Sequence, residues 1–129
     1  METATAHLNT YRQSPRKVRL LADLVRGQKV SLAVTTLRFA NKRAAAPIVK
    51  LIESAIANAK NKGMNTELLV VQAITVNAGQ TLHRQMPMAR GRAFGINKRT
   101  SRISVSVMEK EPKVKGKKTK VAKPNVETK

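Results

Sequence analysis

The sequence predicts a mixed domain of helices and strands from which a basic two-stranded arm projects. Three observations carry that prediction. Amphipathic runs with helix start and stop signals occupy roughly residues 14–63. Two β-branched segments, 68–79 and 102–109, want the same core. Between them lies "HRQMPMARGRAFGINKRT", residues 83–100, with no acid and no apolar period. A chain of 129 residues supports one domain with a single modest core. That core must be aliphatic, because Tyr11, Phe39 and Phe94 are all its aromatics.

Taken in order, "TAHLNTYR" (5–12) has strand character and suits a sheet edge. "SPRKVRLLADLVRG" follows. Ser14 is placed to cap a helix, and Pro15 suits the first helical position, where its missing N–H would be unpaired anyway. Val18, Leu21, Leu24 and Val25 recur at helical spacing, and Gly27 offers a left-handed stop. Arg16, Arg19, Asp23 and Arg26 mark another face, with Asp23 spaced to pair with Arg19 and Arg26. Ser31 predicts the cap of a shorter helix that packs Leu32 or Ala33, Leu37 and Ala40. A longer helix is expected from about Lys42 to Lys62, capped by Asn41 and ended by Gly63. Its stripe is Ile48, Ile52, Ala55, Ile56 and Ala59, with Pro47 near the first turn.

The segment "RISVSVME" alternates, with Ile103, Val105 and Val107 on one face and Ser104, Ser106 and Met108 on the other. A structureless loop as long as the one before it is uncommon in a compact domain. The economical solution continues both strands past the core as an arm, whose tip runs from Met86-Pro87 to Arg90-Gly91-Arg92. The domain then covers 1–111, hairpin at about 79–101 included, and 112–129 reads as a disordered lysine-rich tail.

Charge names the partner class. The formal net charge is +19, and from Leu68 to Met108 there are 6 basic residues and no acidic ones. Such an excess opposes compaction by self-repulsion, so a polyanion is expected to neutralise it in the working state. The arm segment up to Arg102 is arginine-rich, whereas the tail is all lysine. Arginine presents a planar fork to phosphates; lysine is a hydrated point charge on a flexible stem. A membrane partner fits poorly: no apolar run is long enough to span, and "METATAHLNT" has neither the basic start nor the apolar core of a signal peptide. Zero cysteines leave no disulfide framework or thiolate zinc site, and the chain fits the cytoplasm. Two histidines and seven scattered carboxylates form no catalytic or metal-binding pattern, so no enzyme activity, cofactor or small-molecule substrate is expected. With so few aromatics, base stacking is not the binding mode. What remains is recognition of phosphate backbone and shape. An architectural DNA-binding protein, with a basic β-arm and a wedging proline at its tip, is the alternative class.

Three stretches together, "SPRKVRLLADLVRGQKVSLAV", "AAAPIVKLIESAIANA" and "MPMARGRAFGINKRTSRISVSV", resemble the bacterial large-subunit ribosomal protein family number twenty-two in order and spacing, across about residues 7–109. The resemblance implies an α+β fold: about three helices on a small three-stranded antiparallel sheet, with a long protruding β-hairpin. It implies that the globular part lies near the tunnel exit, that the protein supports subunit assembly, and that the hairpin lines the nascent-peptide tunnel near the site of macrolide binding. The partners so implied are large-subunit ribosomal RNA, neighbouring ribosomal proteins and the nascent polypeptide. The RNA-contacting residues expected on this basis are Arg12, Arg16, Lys17, Arg19, Arg26, Lys29, Arg84, Arg90, Arg92, Lys98, Arg99 and Arg102. The expected tunnel-lining tip is Met86, Pro87, Met88, Ala89, Arg90, Gly91 and Arg92. The chain departs from the family's usual pattern at Gly79-Gln80, His83, Met88 and Gly95.

Overall fold

The computed structural model describes residues 2–110. In chain order these form β1 (Thr3–Tyr11), α1 (Pro15–Val25), α2 (Val30–Phe39), α3 (Ala45–Asn61), β2 (Leu69–Ala78), β3 (Leu82–Pro87), β4 (Ala93–Lys98) and β5 (Ser101–Glu109). The expected lysine-rich tail, 112–129, lies outside the described residues. Two sheets result: a three-stranded antiparallel one in the order β1-β5-β2, and a two-stranded one made of β3 and β4. The fold is therefore α+β, three helices on a small antiparallel sheet with a separate hairpin.

The alternation expected in β5 is present. Ile103, Val105 and Val107 are buried, and Ser104, Ser106 and Met108 lie on the other, half-exposed face. Both neighbouring strands keep a matching inward face only by inserting a residue. In β2, Leu69 and Val71 point inward, a register shift falls between Val71 and Ala73, and Ile74 and Val76 then continue inward. In β1, Ala4 and Ala6 are buried, and an irregularity between Leu8 and Tyr11 brings Tyr11 back against the core. Thr10 takes a positive φ of 60° there. A side-chain period of two reverses faces on an odd insertion, so each bulge re-aims the rest of its strand.

The helices cover one face of this sheet, α1 over β2 and α3 over β1 and β5, with α2 against α3. Alanines thin the contact: Ala22, Ala33, Ala55 and Ala59 are buried beside Val18, Leu37, Ile48 and Ile52. The helix boundaries differ from the expected ones for identifiable reasons. Pro15 does begin α1, but the Ser14 side chain makes no capping bond. Leu24 is exposed and Ala22 takes its place in the buried stripe. Gly27 has φ +76° as expected, yet its N–H donates to Val71 O of β2 (2.9 Å) rather than back into the helix.

Helix α2 starts at Val30, not after Ser31, because Val30 is buried and Lys29 bridges to Val70. Of the alternatives Leu32 and Ala33, the buried one is Ala33. Helix α3 starts at Ala45 rather than Lys42, capped by Ala44 in place of Asn41. Pro47 sets that limit: a start at Lys42 would require a hydrogen bond from Pro47 to the Arg43 carbonyl, and proline has no N–H to give. The Arg43 carbonyl accepts from Tyr11 Oη instead, at 3.3 Å.

The largest correction concerns the arm. β2 and β5 do not run on into it as continuous strands; β3 and β4 form their own ladder after breaks at residues 79–81 and 99–100. The break is a built joint. Gly79 N–H donates to Thr100 O (2.9 Å), Thr100 Oγ1 donates to Gln80 O (2.6 Å), and Ser101 Oγ donates to Gln13 O (2.6 Å). Thr100 and Ser101 are buried and polar, and these bonds satisfy them. A Cβ at position 79 would collide with Thr100 Oγ1, which explains a glycine there.

Two substitutions separate the core from its surface. Ile103→Ala removes a fully buried side chain from the central strand and is expected to lower the unfolding free energy by about 2–5 kcal/mol in urea titration. Leu20→Ala, at a position 70% exposed, is expected to change it by no more than about 0.5 kcal/mol.

Candidate nucleic-acid interface

All twelve basic residues singled out from the sequence are exposed, and the fold gathers nine of them into three groups with different work, the arm and its root sharing Arg84 and Lys98. Arg19 and Arg26 lie along the outer edge of β2. Arg19 Nε donates to Val76 O (3.1 Å) and Arg26 Nη2 donates to Ile74 O (3.1 Å). Further along that edge, Val71 N–H donates to Gln28 O (3.0 Å) and Lys29 bridges to Val70. A strand edge with unpaired carbonyls is a template for aggregation, and these side-chain and backbone bonds occupy it. The opposite edge is treated alike: Asn58 Nδ2 donates to Thr5 O (2.8 Å) and Lys62 Nζ to Thr3 O (2.7 Å). Asp23 pairs with Arg26 at 2.9 Å, as the spacing predicts, whereas Arg19 is drawn to the sheet instead. Both guanidiniums therefore serve the fold first.

The second group sits on the arm. Its six-residue strands span about 20 Å at the usual rise. Register fixes which side chains share a face, because directly opposed residues point the same way. Leu82 faces Lys98, Arg84 faces Ile96 and Met86 faces Phe94, so one face is cationic at the root and apolar toward the tip. His83 faces Asn97, Gln85 faces Gly95 and Pro87 faces Ala93, which makes the other face small and polar, without Lys, Arg, Asp or Glu. Met86, Met88 and Phe94 are each more than half exposed. A sequence template of period two over 82–98 exposes this division once the apex is known; without the apex the register is undetermined.

The apex is narrower than the expected tip. Met86 and Pro87 still belong to the ladder, and the turn itself is 88–92, closed by Met88 N–H donating to Arg92 O at 2.8 Å. Arg90 (φ 59°) and Gly91 (φ +70°) are both left-handed. Glycine takes that conformation without strain, while arginine does so only because the turn requires two such residues in succession. Arg90 and Arg92 are thereby held out at the far end of the molecule.

The third group forms at the arm's root. Arg12, just after β1, meets Arg84, Lys98 and Arg99 around a cleft of about 460 Å³ that is also lined by Gln13, Ser14 and Thr100. Arg84 Nη1 donates to the neighbouring His83 O (2.8 Å). Among the described residues the ion pairs are Arg26–Asp23 and Arg38–Glu53, neither of them at this cleft. Arg16 and Lys17 lie on the first turn of α1, and Arg102 is the second residue of β5, opposite Asn77. Among the described residues no His, Asp or Glu group is arranged to hold a metal, and no helix is long and apolar enough to cross a membrane.

Comparison with known proteins gives the family and its members. A family model described as ribosomal protein L22p/L17e matches residues 6–108. A protein of Mesoplasma florum named large ribosomal subunit protein uL22 is 50% identical over 107 residues, covering 82% of this chain and 96% of that one. Proteins with the same name from Mycoplasma capricolum and Bdellovibrio bacteriovorus are 50% and 51% identical, covering 84% and 81% of this chain and 98% and 96% of theirs.

The division of labour among the arginines is measurable in the isolated protein. Arg19→Ala and Arg26→Ala each strip a donor from a β2 carbonyl and are expected to cost about 1 kcal/mol in thermal unfolding. Arg84→Ala, on the arm, is expected to stay within about 0.5 kcal/mol of the parent.

Proposed function

The chain belongs to the ribosomal protein L22p/L17e family, and we propose that it is a structural, non-catalytic constituent of the large ribosomal subunit that binds ribosomal RNA. The observation that carries this reading is the arm: a two-stranded ladder with exposed cations and no acid, standing off a domain whose core it does not join. In water such a ladder buries too little to be held firmly, because two strands alone are marginal. Phosphates on either flank supply what it lacks. They neutralise Arg84, Arg90, Arg92, Lys98 and Arg99, and the joint at Gly79 and Thr100 anchors it.

On the ribosome the protein is cytoplasmic, its helical body touching ribosomal RNA and neighbouring large-subunit proteins while it supports subunit assembly. The turn 88–92 with its flanking Met86 and Pro87 reaches the nascent-peptide tunnel, where Met88 presents an apolar side chain to the passage. The alternative of an architectural DNA-binding arm relied on a proline wedge at the tip. Pro87 is instead held inside the ladder opposite Ala93, short of the apex, and that alternative loses its motivating feature.

At endogenous levels the protein is expected to co-sediment with large subunits through a moderate-salt gradient; release into the soluble fraction would contradict the proposal. In filter-binding competition, structured ribosomal RNA is expected to displace duplex DNA, with affinity falling by about 0.7–0.9 decades per decade of salt for each phosphate contacted. Amide exchange gives a second readout. Residues 82–98 are expected to exchange rapidly in the free protein and to become protected with RNA, while β5 is slow in both states. Equal protection of the arm in the two states would contradict its ordering by RNA.

A further inference from the structure

The cleft at the arm's root has a geometry that general basicity does not require. It is walled on one side by the body, through Arg12, Gln13 and Ser14, and on the other by both arm strands, through Arg84 and Lys98 with Arg99 at the joint. Four cations converge on a volume of about 460 Å³, with no carboxylate among the lining residues. Left in water alone, that convergence pushes arm and body apart. An anion between them reverses the sign of the interaction on both walls at once. At about 30 Å³ per water the space equals about fifteen waters, room for consecutive phosphates of one strand with part of their hydration. Ser14 adds an uncommitted donor, since its hydroxyl makes no cap bond to α1.

We propose that this cleft is a phosphate clamp: it takes one stretch of RNA backbone between body and arm, and its occupancy fixes the direction in which the arm points. This rests on the RNA-binding reading above, and it adds to it a specific site and a consequence. The tip cations Arg90 and Arg92 lie beyond the ladder and contact RNA without setting the arm's angle. The root cations do both, because the ligand they share touches the two parts of the molecule whose angle is in question. The joint is suited to that control. β2 and β5 stop at 78 and 101, so the arm hangs on the bonds at Gly79 and Thr100 rather than on continuous ladders.

The chain has no cysteine, so paired spin labels can be introduced at will. With Gln85→Cys on the arm and Ala57→Cys on the exposed side of α3, the label–label distance distribution is expected to be broad in the free full-length protein. It should narrow on adding a transcript of large-subunit ribosomal RNA. In an R84Q/R99Q background the narrowing should be lost and RNA affinity should fall at least tenfold; R12Q, which alters only the body wall, should give the same loss of narrowing. In R90Q/R92Q affinity should fall while narrowing persists. Circular dichroism of each variant verifies that the body is folded. If the root variants narrow as the parent does, the clamp is overturned while RNA binding stands. If no variant and no parent binds the transcript, the RNA-binding reading fails and the clamp with it. If sodium tripolyphosphate narrows the distribution and the transcript does not, the cleft serves free polyphosphate and the RNA clamp is likewise overturned.

Discussion

The structure depends on β5. Among the described strands it alone has a strand paired on each side, β1 and β2, and its inward side chains Ile103, Val105 and Val107 are the floor on which the helices rest. Its first residues also carry the joint: Ser101 binds the Gln13 carbonyl, and Thr100 just before it binds Gln80. One strand therefore sets the sheet's register, the depth of the core and the root of the arm. Because a one-residue slip would turn every inward valine outward, that register is strongly specified. The bulges in β1 and β2 are accommodations made by the outer strands to a fixed central one.

Around this strand the molecule solves a problem of charge. A net +19 on 129 residues opposes compaction, and much of a typical protein's edge protection comes from charged side chains. Here the same residue types do both jobs in different places. Arg19, Arg26 and Lys62 spend donors on strand-edge carbonyls, so the body closes over its own sheet with cations that elsewhere would only repel. Among the described residues the arm's cations have no such internal acceptors apart from Arg84 on the adjacent carbonyl, and they stand ready for an external one. Arginine content alone does not distinguish these roles; acceptors nearby do.

Much of this was legible beforehand. The helix stripes of Val18, Leu21, Ile48 and Ile52, and the alternation of Ile103, Val105 and Val107, follow from period alone and are buried. The positive φ at Gly27, Gly63 and Gly91 follows from where the helices and the turn must stop. Caps were less legible. Ser14 does occupy the cap position of α1, with Pro15 next, but its side chain makes no capping bond, while the burial of Val30 and the missing N–H of Pro47 set the starts of α2 and α3 away from Ser31 and Asn41. The arm was visible as an anomaly of composition, but its register and therefore its two chemically distinct faces were not.

By itself the sequence determined the element types, the aliphatic core, the excess of cations and the presence of an arm. Those depend on local periodicity and composition, which are properties of short windows. Only the tertiary structure decided which cations are spent on the fold and which remain free, because that depends on carbonyls about fifty residues away in the chain. It also decided that Arg12 meets Arg84, Lys98 and Arg99 in one cleft. No spacing rule connects position 12 to position 99; the antiparallel pairing of β1 with β5 does, by bringing the end of one beside the start of the other.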